Sequence, residues 1–190
     1  MKLWDKGISI DKKIEQFTVG NDREIDVHIA KYDVIASRAH AKMLKKIGIL
    51  SANELVELLT GLKKIEDQID NGTFVIEAQF EDVHSKIEFE LTKTLGEVGK
   101  KIHTARSRND QVLVALQLYY KENLGVVKQK TQDLFETLLG LADAHKDKVL
   151  PGYTHLQVAM PSSFGLWFSA YAEVASHDLQ LKEVELCDRS

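Results

Sequence analysis

Cysteine is nearly absent. Cys187 stands alone among 190 residues, so no internal disulfide framework can staple this chain, and a reducing cytoplasm suits it. Proline occurs only at Pro151 and Pro161, which leaves long helices uninterrupted. No apolar run approaches the roughly 18 residues that a membrane span requires. The opening Met-Lys-Leu-Trp-Asp-Lys-Gly has no apolar core of signal-peptide length. Neither sign of charge dominates: 25 Lys and Arg stand against 29 Asp and Glu, a net charge of -4. Such a balance points to neither nucleic acid nor an anionic membrane as partner. A glycine-rich phosphate loop, a serine nucleophile elbow and paired cysteine ligands are also missing, so no cofactor is implied. These absences describe a soluble cytoplasmic protein with ample chain to bury a core.

What the chain has is helical periodicity. Residues 1–22 read as irregular, with Trp4, Ile8, Ile10, Ile14 and Phe17 available to tuck against the helical body beyond them. From Glu24 to Ile47, the positions Ile25, Ile29, Ala36, Ala39, Met43 and Ile47 recur at threes and fours, and Gly48 supplies a stop. Ser51 and Glu54 form a capping box that opens a second helix. Its seam is Leu55, Leu58, Leu59, Leu62, Ile65 and Ile69, and Asn71-Gly72 ends it. Thr73–Ile76 is β-prone but short, and reads as a connector. A third helix spans Glu81 to Leu95, with Val83, Ile87, Leu91 and Leu95 on one face.

A rod comes next, from Arg108 to about Lys148, reaching ~60 Å at 1.5 Å per residue. It carries Val112, Leu116, Tyr119, Leu124, Val127, Thr131, Leu134, Leu138 and Leu141. Pro151-Gly152 breaks it, Tyr153–Met160 reads as a loop, and Pro161-Ser162 starts a last helix presenting Phe164, Trp167, Ala170, Tyr171 and Val174. The expected fold is all-α: an N-terminal helical domain over 1–106, then the first long helices of an elongated, incomplete bundle over 107–190.

Three segments carry polar groups beyond any packing need. The first is His103–Asp110, where Ser107 caps the rod with Asp110 three residues on. Unpaired N–H groups and the positive dipole end meet Arg106 and Arg108 there, with Ser107 and Asn109 between them. That is an anion receptor suited to carboxylate or phosphate; a solvated basic loop that only caps a helix is the alternative. The second segment, Gly152–Gln157, offers the Thr154 hydroxyl and the His155 imidazole, a proton carrier near neutral pH. Those two side chains could equally satisfy one another or the loop backbone. The third runs from Glu81 to Glu88. His84 and Glu88 sit four apart on one helical face, a spacing found in metal sites, but no third ligand is in register, and a surface ion pair accounts for the same residues.

Taken together, Thr104–Gln111, Gly152–Gln157 and Glu81–His84 resemble the argininosuccinate lyases, helical-bundle enzymes of the fumarase/aspartase superfamily whose relatives include lens delta-crystallins. Lys2-Leu3-Trp4 and the stretch from Tyr32-Asp33 through Ala39-His40 to Met43-Leu44 are similar as well. The resemblance implies cleavage of argininosuccinate into arginine and fumarate, without metal or other cofactor. It implies Ser107, Arg108 and Asn109 as substrate-binding residues, Arg108 on a carboxylate. Thr154 would bind the succinyl carboxylate, His155 would assist proton transfer, His84 would contact substrate in the same pocket, and Asp26 would face the arginine end.

Some positions depart from the family pattern. The segment between Phe17 and Asp26 is longer, Gly20-Asn21 replaces a serine context, and Val158 and Met160 stand where arginine and glutamine are common. The family's Gly-Ser-Ser-x-Met-Pro-x-Lys-x-Asn loop, which bears the serine taken as general base, does not occur in the 190 residues. The chain therefore reads as a truncated form or fragment of a longer product, inactive by itself, and the resemblance implies that the full-length protein assembles as a homotetramer with active sites shared between subunits. A crystallin-like scaffold, adenylosuccinate lyase or aspartase, and a metal-binding bundle are the rival readings.

Overall fold

The computed structural model describes residues 12–187; Trp4, Ile8, Ile10 and the Lys2-Leu3-Trp4 opening lie outside them. The chain divides into two compact units, residues 1–119 and 120–190. Among the described residues, regular structure is helical apart from one hairpin.

In the first unit, α1 spans Lys12–Val19 and α2 Asp22–Ile25, followed by a 3-10 turn at Asp26–Ile29. A segment expected to be irregular up to residue 22 is thus helical from Lys12. Two turns are too few for periodicity to register in sequence, and only packing sustains so short a helix. Then come α3 (Ala30–Lys46), α4 (Ala52–Asp70), α5 (Val83–Leu95), α6 (Glu97–Lys100), a 3-10 turn at Lys101–His103 and α7 (Arg108–Ala144). The α4 start is the capping box expected: the Ser51 hydroxyl accepts from the Glu54 N–H at 3.2 Å, and the Glu54 carboxylate accepts from the Ser51 N–H at 2.8 Å. Asp82 caps α5 by accepting from the Ser85 N–H at 2.7 Å. Residues 73–76 form no regular element.

Leu44, Leu58, Leu62, Phe80, Val83, Ile87, Leu91 and Ile102 are fully buried where α3, α4 and α5 meet. Each such side chain contributes about 1.5–3 kcal/mol of transfer free energy. The seams of α4 and α5 are those the periodicity marks. The seam of α3 is not. Its buried face is Ala30, Tyr32, Asp33, Val34, Ser37, Ala41 and Leu44; of the expected stripe Ile29, just before the helix, is buried, whereas Met43, Ile47 and Ile25 are exposed. Two polar residues on the inner face hid it, and the apolar row on the outer face imitated a core stripe.

Gly99 sets how closely α6 approaches α5. A Cβ there would stand 2.4 Å from the Leu91 carbonyl oxygen and 2.7 Å from the Thr92 nitrogen. Only glycine allows that approach, and it fixes the segment leading to residue 106.

The second unit holds the rest of α7, the strands β1 (Val149–Thr154) and β2 (Gln157–Ser163), and α8 (Phe164–Cys187). Residues 153–160, expected as a loop, form most of an antiparallel hairpin. Pro151 pairs with Pro161, and a bulge lies between Gly152 and Tyr153. A two-stranded ribbon has only edges, so prolines that would break a central strand are tolerated. The last helix begins at Phe164 rather than at Pro161-Ser162, because the Ser163 hydroxyl accepts from the Leu166 N–H at 3.1 Å.

The face of α8 expected to pack is the outer one: Phe164, Trp167, Tyr171 and Val174 are 40–59% exposed. Gly165, Ala172 and Ala175 are buried instead. A Cβ on Gly165 would come within 2.6 Å of the Lys146 Cα on the turn after α7. The first turns of α8 are apolar on nearly every side and carry no periodic signal to choose a face, so close approach at small residues decides. Along α7, only Gln111 and Ala115 are fully buried.

Candidate active site at the start of the long helix

Ser107 and Asp110 build the start of α7. The Asp110 carboxylate accepts from the Ser107 N–H and the Ser107 hydroxyl, both at 2.7 Å, and the Asp110 N–H donates back to the same hydroxyl at 3.2 Å. This is the capping-box variant expected. Those bonds hold the Asp110 carboxyl below its ordinary value, the backbone bond from Ser107 contributing most. The Arg108 and Asn109 N–H groups occupy the first turn, where a helix supplies no acceptor, and Asn109 is exposed.

Arg108 is half-buried and engaged with α5. Its Nη1 donates to Gln111 Oε1 at 2.7 Å and to Glu88 Oε1 at 3.3 Å, and its Nη2 lies 3.4 Å from Ser85 Oγ. Its Nε stands 3.5 Å from Asp82 Oδ2. Glu88 Oε1 has a second neighbour, His103 Nδ1, at 3.0 Å. The histidine and glutamate that share a face by spacing thus have separate partners. Among the described residues, no group of three His, Cys, Asp or Glu side chains could hold a metal ion.

His84 is 1% exposed, deep in the first unit. Its Nδ1 lies 3.0 Å from Asp33 Oδ2, within ion-pair distance but out of line for a hydrogen bond. The other oxygen of Asp33 accepts from Ser37 Oγ at 3.3 Å, and Ser37 Oγ accepts from Arg106 Nη1 at 3.1 Å. Asp33 and Ser37 are themselves wholly buried. Burial pulls the Arg106 guanidinium below its ordinary value, opposed by the charges of Asp33 and Glu88.

Of this Asp33–Ser37–His84–Arg106 cluster, His84 and Arg106 were candidates read from sequence, and Asp33 and Ser37, which join them, were not. The available signal was a polar pair, four apart, beside Ala30, Val34 and Ala41. Asp26, expected to face the arginine end of a substrate, accepts from the Val83 N–H at the start of α5 at 3.2 Å. Its carboxyl is raised by burial, against that backbone bond.

Beside the cluster, α3 and the start of α7 enclose a cleft of about 360 Å³. Ala36, Ala39 and Met43 form one wall, Arg106, Gln111 and Val114 another. At its edge His40 Nε2 lies 2.9 Å from the Thr104 carbonyl oxygen, and burial lowers the imidazole pKa against that bond. A proton on Nε2 donates to the carbonyl, fixing the neutral tautomer. Ala105, between that tie and Arg106, has φ +56°, a conformation that costs an L-residue about 1–2 kcal/mol. Ala105→Gly is expected to stabilise the first unit by about 0.5–1 kcal/mol, the relief of strain exceeding glycine's chain entropy. Urea denaturation checks this; a loss instead of a gain would show that the methyl packs favourably in the cleft wall.

Thr154 and His155 belong to the second unit. Both are exposed at the hairpin tip, where Thr154 pairs with Gln157. The two central turn residues, His155 and Leu156, have φ +49° and +66°, the pattern of a type I′ turn that glycine and asparagine usually fill. Leu156 is 97% exposed.

In fold, the chain falls into the class of helical lyases. A fumarate lyase:delta crystallin structure from Brucella melitensis aligns at TM-score 0.72 and 16% identity over 97% of this chain and 46% of that one. The beta-carboxy-cis,cis-muconate cycloisomerase of Acinetobacter calcoaceticus aligns at TM-score 0.70 and 18% identity over 90% and 40%. The family model described as lyase matches residues 7–186, and the chain belongs to that family. Argininosuccinate lyase from Phocaeicola vulgatus is 50% identical over 191 aligned residues, covering 100% of this chain and 43% of the relative. The enzyme of that name from Thermotoga neapolitana is 42% identical, with coverages of 100% and 48%. The chain therefore spans less than half the length of these relatives.

Proposed function

We propose that this chain is part of an argininosuccinate lyase, which cleaves argininosuccinate to arginine and fumarate. The observation that carries the reading is 50% identity to an enzyme of that name along the whole chain. Removing a proton beside a carboxylate builds negative charge on that carboxylate, so fixed cationic and N–H donors lower the barrier. The start of α7 offers such donors: the first-turn N–H groups, the exposed Asn109 and the Arg108 guanidinium. In this reading Ser107, Arg108 and Asn109 hold the substrate, with Arg108 on a carboxylate. Thr154 takes the succinyl carboxylate and His155 assists proton transfer. His84 and Asp26 are assigned to substrate in the same scheme; their observed partners, Asp33 and the Val83 N–H, make positioning their more direct service.

The chemistry needs neither metal nor cofactor, and the setting is the cytoplasm. The exposed apolar rows of α7 and α8, including Leu134, Trp167, Tyr171 and Val174, suit burial in a homotetramer. Among the described residues, no helix is long and apolar enough to cross a membrane.

Calorimetric titration of argininosuccinate into the whole protein tests the reading. Binding heat that disappears in Arg108→Met supports it, and absence of heat in the unsubstituted protein overturns it. The 190 residues alone lack the serine loop and are expected to release no fumarate above background, followed by its ultraviolet absorbance. Sustained turnover would show that a base within this sequence suffices.

A further inference from the structure

Arg108, which the proposed function places on a substrate carboxylate, already has two beside it, Glu88 and Asp82. Glu88 Oε1 lies 3.3 Å from its Nη1, and the same oxygen is 3.0 Å from His103 Nδ1. Glu88 reaches from α5, His103 from the 3-10 turn before α7, and Arg108 from the first turn of α7. Two nitrogen donors therefore meet on one oxygen, and neither has sole use of it. Asp82 Oδ2 stands 3.5 Å from Nε while its other oxygen caps α5 on the Ser85 N–H, and Gln111 Oε1, at 2.7 Å, and Ser85 Oγ, at 3.4 Å, complete the cradle of the guanidinium. Gln111 and Ser85 are neutral, Asp82 is tied to its helix start, and all three remain as supports when a ligand arrives. Glu88 is different, because an incoming carboxylate presents the same chemistry to the same fork of donors.

We propose that Glu88 is a positioning residue that holsters Arg108. It aligns the guanidinium in the empty site and yields it to a substrate carboxylate, while His103 retains the released glutamate. The inference rests on the function proposed above. It makes the glutamate an internal competitor, so its removal should strengthen ligand binding, whereas a purely structural strut should weaken binding when lost. His103 has the opposite role. Without it, Glu88 has one partner fewer to turn to and holds Arg108 more firmly.

The test is fumarate, a planar dicarboxylate, titrated calorimetrically into the whole protein and its Glu88→Gln, His103→Gln and Arg108→Met variants. Glutamine keeps the size and hydrogen-bonding shape of glutamate and removes its charge. A half-buried charged pair is worth a few-fold in affinity, so Glu88→Gln is expected to tighten fumarate about two- to fivefold. His103→Gln is expected to weaken it by a smaller factor, and Arg108→Met to abolish it. If Glu88→Gln binds fumarate no better than the unsubstituted protein while Arg108→Met still loses it, the holster is refuted and the carboxylate role of Arg108 stands. If Arg108→Met binds as well as the unsubstituted protein, or nothing binds at all, the functional reading fails and the holster with it.

Discussion

Asp33→Ala is expected to cost the first unit about 3–5 kcal/mol, the range for removing one partner from a buried polar pair. Asp33 is wholly buried and answers to three groups. His84 Nδ1 lies 3.0 Å away, Ser37 Oγ donates to it at 3.3 Å, and its charge supports Arg106 through Ser37. Alanine leaves all three inside with less compensation. The Arg106 guanidinium suffers most, because its Nε and Nη2 are buried without other hydrogen-bond partners. Asn in the same place keeps an acceptor for Ser37 and should cost less than Ala, which separates lost charge from lost volume. Against a total stability of roughly 5–15 kcal/mol for a domain, the alanine loss would leave the unit marginal. Amide exchange in α3 and α5 reads the effect locally, independently of the second unit. A loss below about 1 kcal/mol would mean that water or a repacked neighbour readily replaces the carboxylate.

That cluster also shows where sequence reading succeeds and where it stops. Ser51 with Glu54, and Ser107 with Asp110, were legible because a capping box is closed by residues three apart, and backbone geometry alone dictates the pairing. The seams of α4 and α5 were legible because their buried apolar rows, Leu58, Leu62 and Ile65 on one and Val83, Ile87 and Leu91 on the other, recur at threes and fours without a break. On α3, Asp33 and Ser37 interrupt the inner face, and their reason for being there is Arg106, 69 residues from Ser37. No local pattern encodes such a partner. The hairpin was missed for a related reason. Pro151, Gly152 and Pro161 are breakers read singly, yet the register sets the two prolines opposite each other in a ribbon whose edges need no donor there. For α8, composition announced an apolar helix but not its inner face, since three small residues decided that. At the site, the residue types around 103–111 were apparent from sequence. That Arg108 is already engaged by Asp82, Glu88 and Gln111 required coordinates.

Gly99→Ala is expected to be the most damaging single-methyl change, at about 3 kcal/mol, the upper end of overpacking costs. The added Cβ would sit 2.4 Å from the Leu91 oxygen, 2.5 Å from the Leu91 carbonyl carbon and 2.7 Å from the Thr92 nitrogen. These are backbone atoms of α5, so no side-chain rotation relieves the clash. The short α6 must lift away, and it carries with it buried Ile102, His103 on Glu88, and Arg106 on Ser37. The site would then loosen together with the fold, and exchange of the Thr104 and Ser107 amides should rise with that of α6. Gly140→Ala, on α7, is the control, because a Cβ there meets nothing within 4 Å. Helix propensity alone then favours alanine by up to about 1 kcal/mol. One methyl group should therefore have opposite signs at the two positions. Equal effects in urea denaturation would show that α6 is free to move, and that the approach of Gly99 to α5 does not hold the start of α7 in place.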